Sequence, residues 1–386
     1  VSEENQRNKS YESLWQDVDH AAWVAQTPTV PELGALVYAS RLLAQHPRMV
    51  SHGGGNTSVK AQTPDRFNQN REILYVKGSG YDLASIPPEG FTPLRLTETA
   101  RLGDLESLSD SAMADELLCL RTRASAPSPS VEAILHALLP FKFILHTHAA
   151  SVVTLTNTPD GAQRIAELYG NRVLTIPYVM PGFKLARLVK QMWDVSGRSD
   201  MEGLILLNHG VFTWAEDART AYQRMLDLVR LADDRLTQGE TASVLDSPSL
   251  PQPELIKRSV LRRQISQAAG NPMILHQSGD SAALTFCHSA QLADIATRGP
   301  LTPDHVIRTK RIPMIGTDVA AYVREYQAYF QRHAANSELS LTMLDPAPRV
   351  ILDLRAGLIT VGRTMGDALA AEDIARDTIR AIRAAE

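Results

Sequence analysis

The stretch that most constrains this chain is the apolar run Phe141-Lys142-Phe143-Ile144-Leu145, which closes on His146-Thr147-His148. A β-strand alternates its side chains between two faces, so residues two apart point the same way. Two imidazoles at that spacing aim at one point, and one short segment then supplies half of a metal site. Imidazole nitrogen suits zinc, and a catalytic zinc takes three protein ligands and leaves a position open. The plain alternative is one buried histidine with a satisfied hydrogen bond and one surface histidine, since the chain has 11 histidines in all. The choice between these turns on a third ligand and an acid–base residue elsewhere in the chain.

A chain of 386 residues is expected to form two domains, or one large domain with a smaller one. Hydrophobic residues at 44% and charged residues at 21% fit a globular protein with ample core. The net charge of −4 gives no reason to expect nucleic acid or an acidic membrane as partner, so any anion specificity must be local. The two cysteines, Cys119 and Cys287, make neither a disulfide framework nor a Cys-based metal site. Together with a polar stretch from Val1 to Ser10 and no long apolar run, they lead to the expectation of a cytoplasmic protein without a signal peptide.

Apolar residues at helical spacing predict helices over 11–25 and from Pro31 to His46. Ser51-His52-Gly53-Gly54-Gly55-Asn56-Thr57-Ser58-Val59-Lys60 follows. Consecutive glycines disfavour regular structure and let backbone approach a ligand, and N–H groups in such a turn form an anion-binding concavity. A tight turn between helix and strand accounts for the glycines equally well. Glu72 to Val76 reads as a strand running into Lys77-Gly78-Ser79-Gly80, a second small-residue turn beside a cation. Residues 110–122 read as an amphipathic helix, and Ser130 is the expected N-cap of the helix that carries Glu132 in its first turn. A carboxylate there either complements the helix dipole or serves as a general base on a rigid element. His136, one turn later on the same face, reads as a supporting or packing residue before it reads as a fourth ligand.

Beyond His148 the pattern gives helices at 149–155, 162–169 and 183–193, with a strand from Val173 to Val179 that Pro177 confines to an edge or a strand end. Leu204-Ile205-Leu206-Leu207 is a buried strand closed by Asn208-His209-Gly210, and a long amphipathic helix runs from Glu216 to Arg235. His209 alone reads as a structural histidine; beside the H-x-H it is the candidate third imidazole. The Ser- and Pro-rich stretch from Thr237 to Glu254 reads as a linker. The domains are therefore placed at 1–242 and 255–386. The second shows a smaller α/β pattern, with strands expected at Ala282–Cys287, Val306–Ile315, Val350–Leu354 and Leu358–Gly362, and helices near 290–297, 318–333 and 365–385. It holds no catalytic constellation.

Three neutral imidazoles leave a zinc ion its double charge and an open position, a glutamate nearby can move a proton, and two donor-rich loops can hold a phosphate. That set suits enediolate formation next to a carbonyl. The motifs Ser51–Lys60, Lys77–Gly80, Pro129-Ser130-Val131-Glu132, His146-Thr147-His148 and Asn208-His209-Gly210 occur in the order seen in class II aldolase/adducin-type proteins, and the chain resembles that family over roughly Leu33 to Leu236. The stretch from Glu132 through Leu155, and Thr302 to Lys310, look most like the aldolase half of bifunctional rhamnulose-phosphate aldolase/short-chain dehydrogenase proteins. With no dehydrogenase domain before Glu386, the resemblance implies at most the aldolase half of that pair.

The resemblance implies an α/β fold with a central, mostly antiparallel sheet flanked by helices, plus the smaller C-terminal α/β domain. It implies zinc held by His146, His148 and His209, and Glu132 as the acid–base residue. It implies a phosphate lined by Asn56, Gly78, Ser79 and Ser130, and a homotetramer with sites at subunit interfaces. The sequence departs from the family at Val131, where many members carry a second serine. A second proton donor is not marked; Tyr169 and Tyr178 are candidates by proximity, each also readable as structural.

The implied activity is zinc-dependent aldol cleavage of a ketose 1-phosphate, rhamnulose 1-phosphate being the first to test. The partner is then a small sugar phosphate, with no nucleic acid and no membrane. The same site would also serve a sugar-phosphate epimerase, a dehydratase, or a lyase acting on an unphosphorylated acid. A non-catalytic adducin-like interaction module is the reading from another class, and a complete ligand set speaks against it.

Overall fold

A computed structural model of the chain describes residues 11–50, 54–237, 255–337 and 340–385. The chain divides into two compact units, Val1–Gly239 and Glu240–Glu386. Ser51, His52 and Gly53 of the first glycine-rich motif lie outside the described residues, as does the expected linker beyond Thr237.

The first unit runs through α1 (Asp17–Ala25), α2 (Pro31–Leu43), β1 (Asn56–Pro64), β2 (Asn70–Lys77), β3 (Phe91–Arg95), α3 (Leu96–Arg101), α4 (Asp110–Cys119), α5 (Ala133–Leu138) and β4 (Phe143–Thr147). It continues with α6 (Ala150–Thr156), α7 (Gly161–Tyr169), β5 (Val173–Ile176), α8 (Phe183–Ser196), β6 (Gly203–Leu206), β7 (Gly210–Ala215) and α9 (Ala218–Thr237). Its seven strands form one sheet in the order β3-β2-β1-β4-β7-β6-β5. Every pairing is antiparallel except β5 with β6. β5 is one of the two edge strands, and it ends at Ile176, before Pro177, which has no N–H to give a ladder.

β4 lies at the middle of this sheet and is buried along its whole length. Its alternation divides the core. Leu145, with Val59 and Val211, packs under Leu36 of α2, Val152 of α6 and Met225 and Val229 of α9. Ile144, with Leu74, Phe212 and Trp214, packs on the other face under Met113 of α4, Ile134 of α5 and Val189 of α8. Helices thus cover both faces, as the resemblance implied. His146, two residues after Ile144, falls on the second face. The paired strands fix its neighbours: Asn56 of β1 and Phe212 of β7 stand directly opposite it.

The second unit contains α10 (Leu255–Ala269), β8 (Ile274–Gln277), α11 (Ser281–Cys287), α12 (Leu292–Ala296), α13 (Val306–Thr309), β9 (Met314–Ile315), α14 (Val319–Ala334), β10 (Val350–Asp353), β11 (Gly357–Gly362) and α15 (Met365–Ala385). Its four strands pair in the order β8-β11-β10-β9. Ile351, Ile359 and Val361 face α10 and α14, while Val350, Leu352 and Leu358 face α11, α12 and α15. Two expected strands are corrected here. Ala282–Cys287 is helical because the Asp280 carboxylate accepts from the N–H groups of Ala282 and Ala283 at 2.8 and 3.1 Å and starts a helix. Val306–Ile315 is a short helix that ends at Lys310, where φ is +63°, and only its last two residues join the sheet. Ile307 in that stretch is 77% exposed, so its β-branched side chain marks no buried strand. Among the described residues, no helix is long and apolar enough to cross a membrane.

Candidate metal centre

The end of β4 and the β6–β7 turn bring three histidines together. The ligand atoms of His146, His148 and His209 all lie within 4.8 Å of one another, and all three residues are buried. His148 falls just past the last strand residue, yet its Nε2 is 3.1 Å from His146 Nε2. His209 arrives on a tight turn in which its N–H donates to the Leu206 carbonyl at 3.2 Å. Asn208 takes the left-handed conformation there, with φ +58°, and its side chain is tied to Asn157 at 3.0 Å.

The backbone around His146 is pressed close from both neighbouring strands. A Cβ on Gly210 would stand 2.4 Å from the Thr147 carbonyl oxygen and 2.9 Å from His146 Cε1. A Cβ on Gly55, whose φ is +71°, would stand 2.7 Å from the His146 carbonyl oxygen. Gly55 therefore serves a close approach to β4, while Asn56, Thr57 and Ser58, expected in a loop, already belong to β1.

His146 Nδ1 donates to the Val211 carbonyl at 3.1 Å, which leaves the Nε2 lone pair facing the other imidazoles. Burial, and then the neighbouring His209, hold this imidazole well below its usual pKa, so it is neutral. Its ring stacks on Phe212 at 4.0 Å between centroids.

Glu132 sits against the same cluster. Its Oε2 is 3.4 Å from His146 Nε2 and its Oε1 is 3.7 Å from His209 Nε2. It is the N-cap residue of α5 rather than a first-turn residue, and Ser130 lies two positions before it. Ser130 Oγ instead accepts from the Glu132 N–H at 3.3 Å. Asn56 Nδ2 donates to Glu132 Oε2 at 2.6 Å and to Ser130 Oγ at 3.1 Å, which uses both amide protons. Asn56 Oδ1 meets His136 Nε2, and His136 Nδ1 is 2.7 Å from Ser58 Oγ. His136 is fully buried, and that burial pushes its pKa down to about 4.

The second glycine-containing turn lies against the Pro129–Ser130 segment. Gly78 bridges to Pro129, and the Ser130 N–H donates to the Lys77 carbonyl at 3.0 Å. The N–H groups of Gly78 and Ser79 donate to the carbonyls of Gly90 and Ser128 at 2.8 and 2.7 Å. Ser79 is exposed and Ser130 half-buried. Thr57 faces the opposite side of the sheet and bonds Ser40 Oγ at 2.7 Å, and Lys60 donates to the Leu139 carbonyl. Tyr169 is buried with its hydroxyl on the Leu228 carbonyl at 2.7 Å, whereas Tyr178 is 47% exposed in the loop after β5.

The donor set fits a divalent metal. Nitrogens held about 2.0–2.1 Å from a tetrahedral zinc stand about 3.3 Å apart, close to the spacing of the His146 and His148 Nε2 atoms. Glu132 Oε1 and His209 Nδ1 are buried and have no hydrogen-bond partner among the described residues. Buried polar atoms in that state are costly, and a cation beside them relieves the cost for the carboxylate. Three buried imidazoles with a carboxylate alongside can hold a metal and keep a base within reach of whatever the metal binds.

Comparison with known proteins gives the family of both units. Residues 34–236 match the class II aldolase and adducin N-terminal domain, and residues 256–386 match the aldolase class II second domain. The chain is 30% identical over 355 residues to YuxG of Bacillus subtilis (strain 168), described as an uncharacterized oxidoreductase. That match covers 85% of this chain and 50% of YuxG, so the chain spans about half the length of this curated relative. The N-terminal class II aldolase domain of a conserved protein from Thermoplasma acidophilum is 36% identical, with a TM-score of 0.50 over 53% of this chain and 93% of that one. A three-histidine cluster built on the sheet of that domain, with the second domain's own match following it, places the chain in the class II aldolase and adducin family.

Proposed function

We propose that this chain is a zinc-dependent lyase that cleaves a ketose 1-phosphate, with rhamnulose 1-phosphate the first substrate to test, into a three-carbon ketone phosphate and an aldehyde. The observation that carries the reading is the Glu132 carboxylate held 3.4 and 3.7 Å from two of the three converging imidazoles. His146, His148 and His209 are the ligands in this reading. Bound there, zinc supplies a Lewis acid for charge that develops on a substrate oxygen.

The chain's own residues do the rest. Glu132 takes the proton that aldol cleavage releases and returns it to the carbon next to the ketone carbonyl. Its burial at 5% exposure keeps water from competing for that proton. The hydroxyls of Ser79 and Ser130 hold the phosphate beside Gly78, while Asn56, which the family resemblance also places there, has committed its amide to Glu132. The resemblance to the aldolase half of bifunctional proteins supports the choice of sugar. We take the assembly to be a homo-oligomer in the cytoplasm, with a sugar phosphate as its partner.

Metal analysis of purified protein, followed by a panel of sugar phosphates and sugar acids with product identification, tests the reading. About one zinc per chain and ketone-phosphate release from a ketose 1-phosphate support it. Absence of metal uptake sinks it in favour of an interaction module. Turnover confined to unphosphorylated acids, or epimerised product, moves the same site to another reaction.

A further inference from the structure

His136 is not one of the three clustered imidazoles, yet it is a fully buried polar side chain in the middle of the site's hydrogen bonds. Its place follows from two periodicities. On α5 it lies one turn after Glu132, and its N–H donates to the Glu132 carbonyl at 3.1 Å. On β1, Asn56 and Ser58 are two apart and so face the same side, and both reach it. A line of side chains results: Ser58, His136, Asn56, Glu132.

The orientation of Asn56 is fixed by chemistry. Glu132 Oε2 lies 2.6 Å from one end of the amide, and a carboxylate oxygen accepts but does not donate. That end is therefore the NH2. The carbonyl end then faces His136 Nε2, which must carry the proton. His136 Nδ1 is the acceptor, and the Ser58 hydroxyl, 2.7 Å away, donates to it. If His136 carried its proton on Nδ1, Nε2 and Asn56 Oδ1 would be two acceptors in contact. The amide would flip, and its carbonyl would face the Glu132 carboxylate.

We infer that His136 is a positioning residue: as its Nε2–H tautomer, with the Ser58 hydroxyl donating to Nδ1, it locks the Asn56 amide so that its NH2 holds Glu132 Oε2 and aims the carboxylate at the substrate. Asn56 thereby links the proton-moving carboxylate to His136. The inference rests on Glu132 being the group that moves the proton. It predicts that removing His136 leaves metal and substrate binding in place and slows the proton step.

The test has two arms. In the first, metal-free protein labelled with 15N-histidine is read by long-range 1H–15N NMR, with His136→Gln assigning the His136 signals. The Nε2–H tautomer is expected, and the Nδ1–H tautomer overturns the inference. This arm needs neither metal nor substrate, so it stands whether or not the aldolase reading does. In the second, zinc-loaded protein is given dihydroxyacetone phosphate in D2O, and exchange of its carbon-bound hydrogen is followed by NMR. Loss of a group that orients a site residue costs about 10–100-fold. His136→Phe is expected to lower the exchange rate by that factor with zinc content and KM unchanged. His136→Gln, which keeps an N–H for Asn56, is expected to recover most of it. Equal rates in His136→Phe and wild type overturn the inference. No exchange by wild type strikes the aldolase reading instead, and the tautomer then decides the inference alone.

Discussion

Gly210 and His146 are in such close approach that any side chain on Gly210 would collide with the imidazole. A Cβ there would come within 2.9 Å of His146 Cε1 and 2.4 Å of the Thr147 carbonyl oxygen. The second contact is with backbone, which cannot swing aside, so β4 or β7 must shift by several tenths of an ångström. Gly210→Ala is therefore expected to fold, because β7 is otherwise well packed, and to hold zinc about 10–100-fold more weakly, the usual cost of misaligning a ligand. Competition with a chromophoric chelator measures this. Unchanged affinity would mean that the three imidazoles tolerate a shift of His146.

Glu132 touches two candidate ligands without belonging to the three-nitrogen set. Glu132→Gln keeps the shape and one oxygen that can accept from Asn56 Nδ2 but cannot take a proton. Metal stoichiometry should persist while turnover falls by about 10²–10⁴-fold, the range for a general base. His148→Ala should do the reverse, losing zinc and activity together. If Glu132→Gln lost zinc as His148→Ala does, the carboxylate would be a ligand rather than a base.

What could be read from the sequence here was what depends on local spacing. His146 and His148 are tied by the strand period, His209 by the end of an apolar run, and Glu132 by a helix start. Roles set by partners far along the chain could not be read. Asn56 reads as an anion donor, and nothing local says that its amide also meets Glu132 and His136, 76 and 80 residues away. The need for Gly210 to be small could not be read either, because it arises only when β7 pairs with β4. In the second unit the short apolar segment Ala282–Cys287 fits either period. The Asp280 cap that decides for a helix was present but unweighed, and the half-exposed β8 gave no alternation to find.

His305 carries a pH dependence for the second unit. It is 4% exposed, and burial lowers its pKa to about 4 from an ordinary value near 6.5. Between those values the unfolded chain binds more protons than the folded one, so stability rises with pH across the window. The contribution is complete above pH 6.5 and is lost as pH falls toward 4, a difference of about 3 kcal/mol for a shift of this size. His305→Gln should flatten that part of the profile. Cys287, fully buried in the same unit, reports the opening, since exposed Cys119 reacts with 4,4′-dithiodipyridine first and Cys287 only on unfolding. A Cys287 rate that climbs equally between pH 6.5 and 4 in both proteins would assign the acid sensitivity elsewhere.

Asp280 starts α11 and also pairs with Arg376 of α15, so one carboxylate joins two helices on the same face of the second sheet. Two substitutions separate these roles. Asp280→Asn retains an oxygen that can accept from the Ala282 and Ala283 N–H groups and removes the charge. Asp280→Ala removes both. The cap is worth about 0.5–2 kcal/mol, and the ion pair adds less because Arg376 is partly exposed, with 35% of its side chain open to water. Asp280→Ala should therefore destabilise the unit by about 1–3 kcal/mol, and Asp280→Asn by less than half as much, both read from urea dependence of Cys287 exposure. Equal losses in the two variants would put the energy in the charge. They would leave the helical state of Ala282–Cys287 to packing of Leu284, Phe286 and Cys287 rather than to its cap.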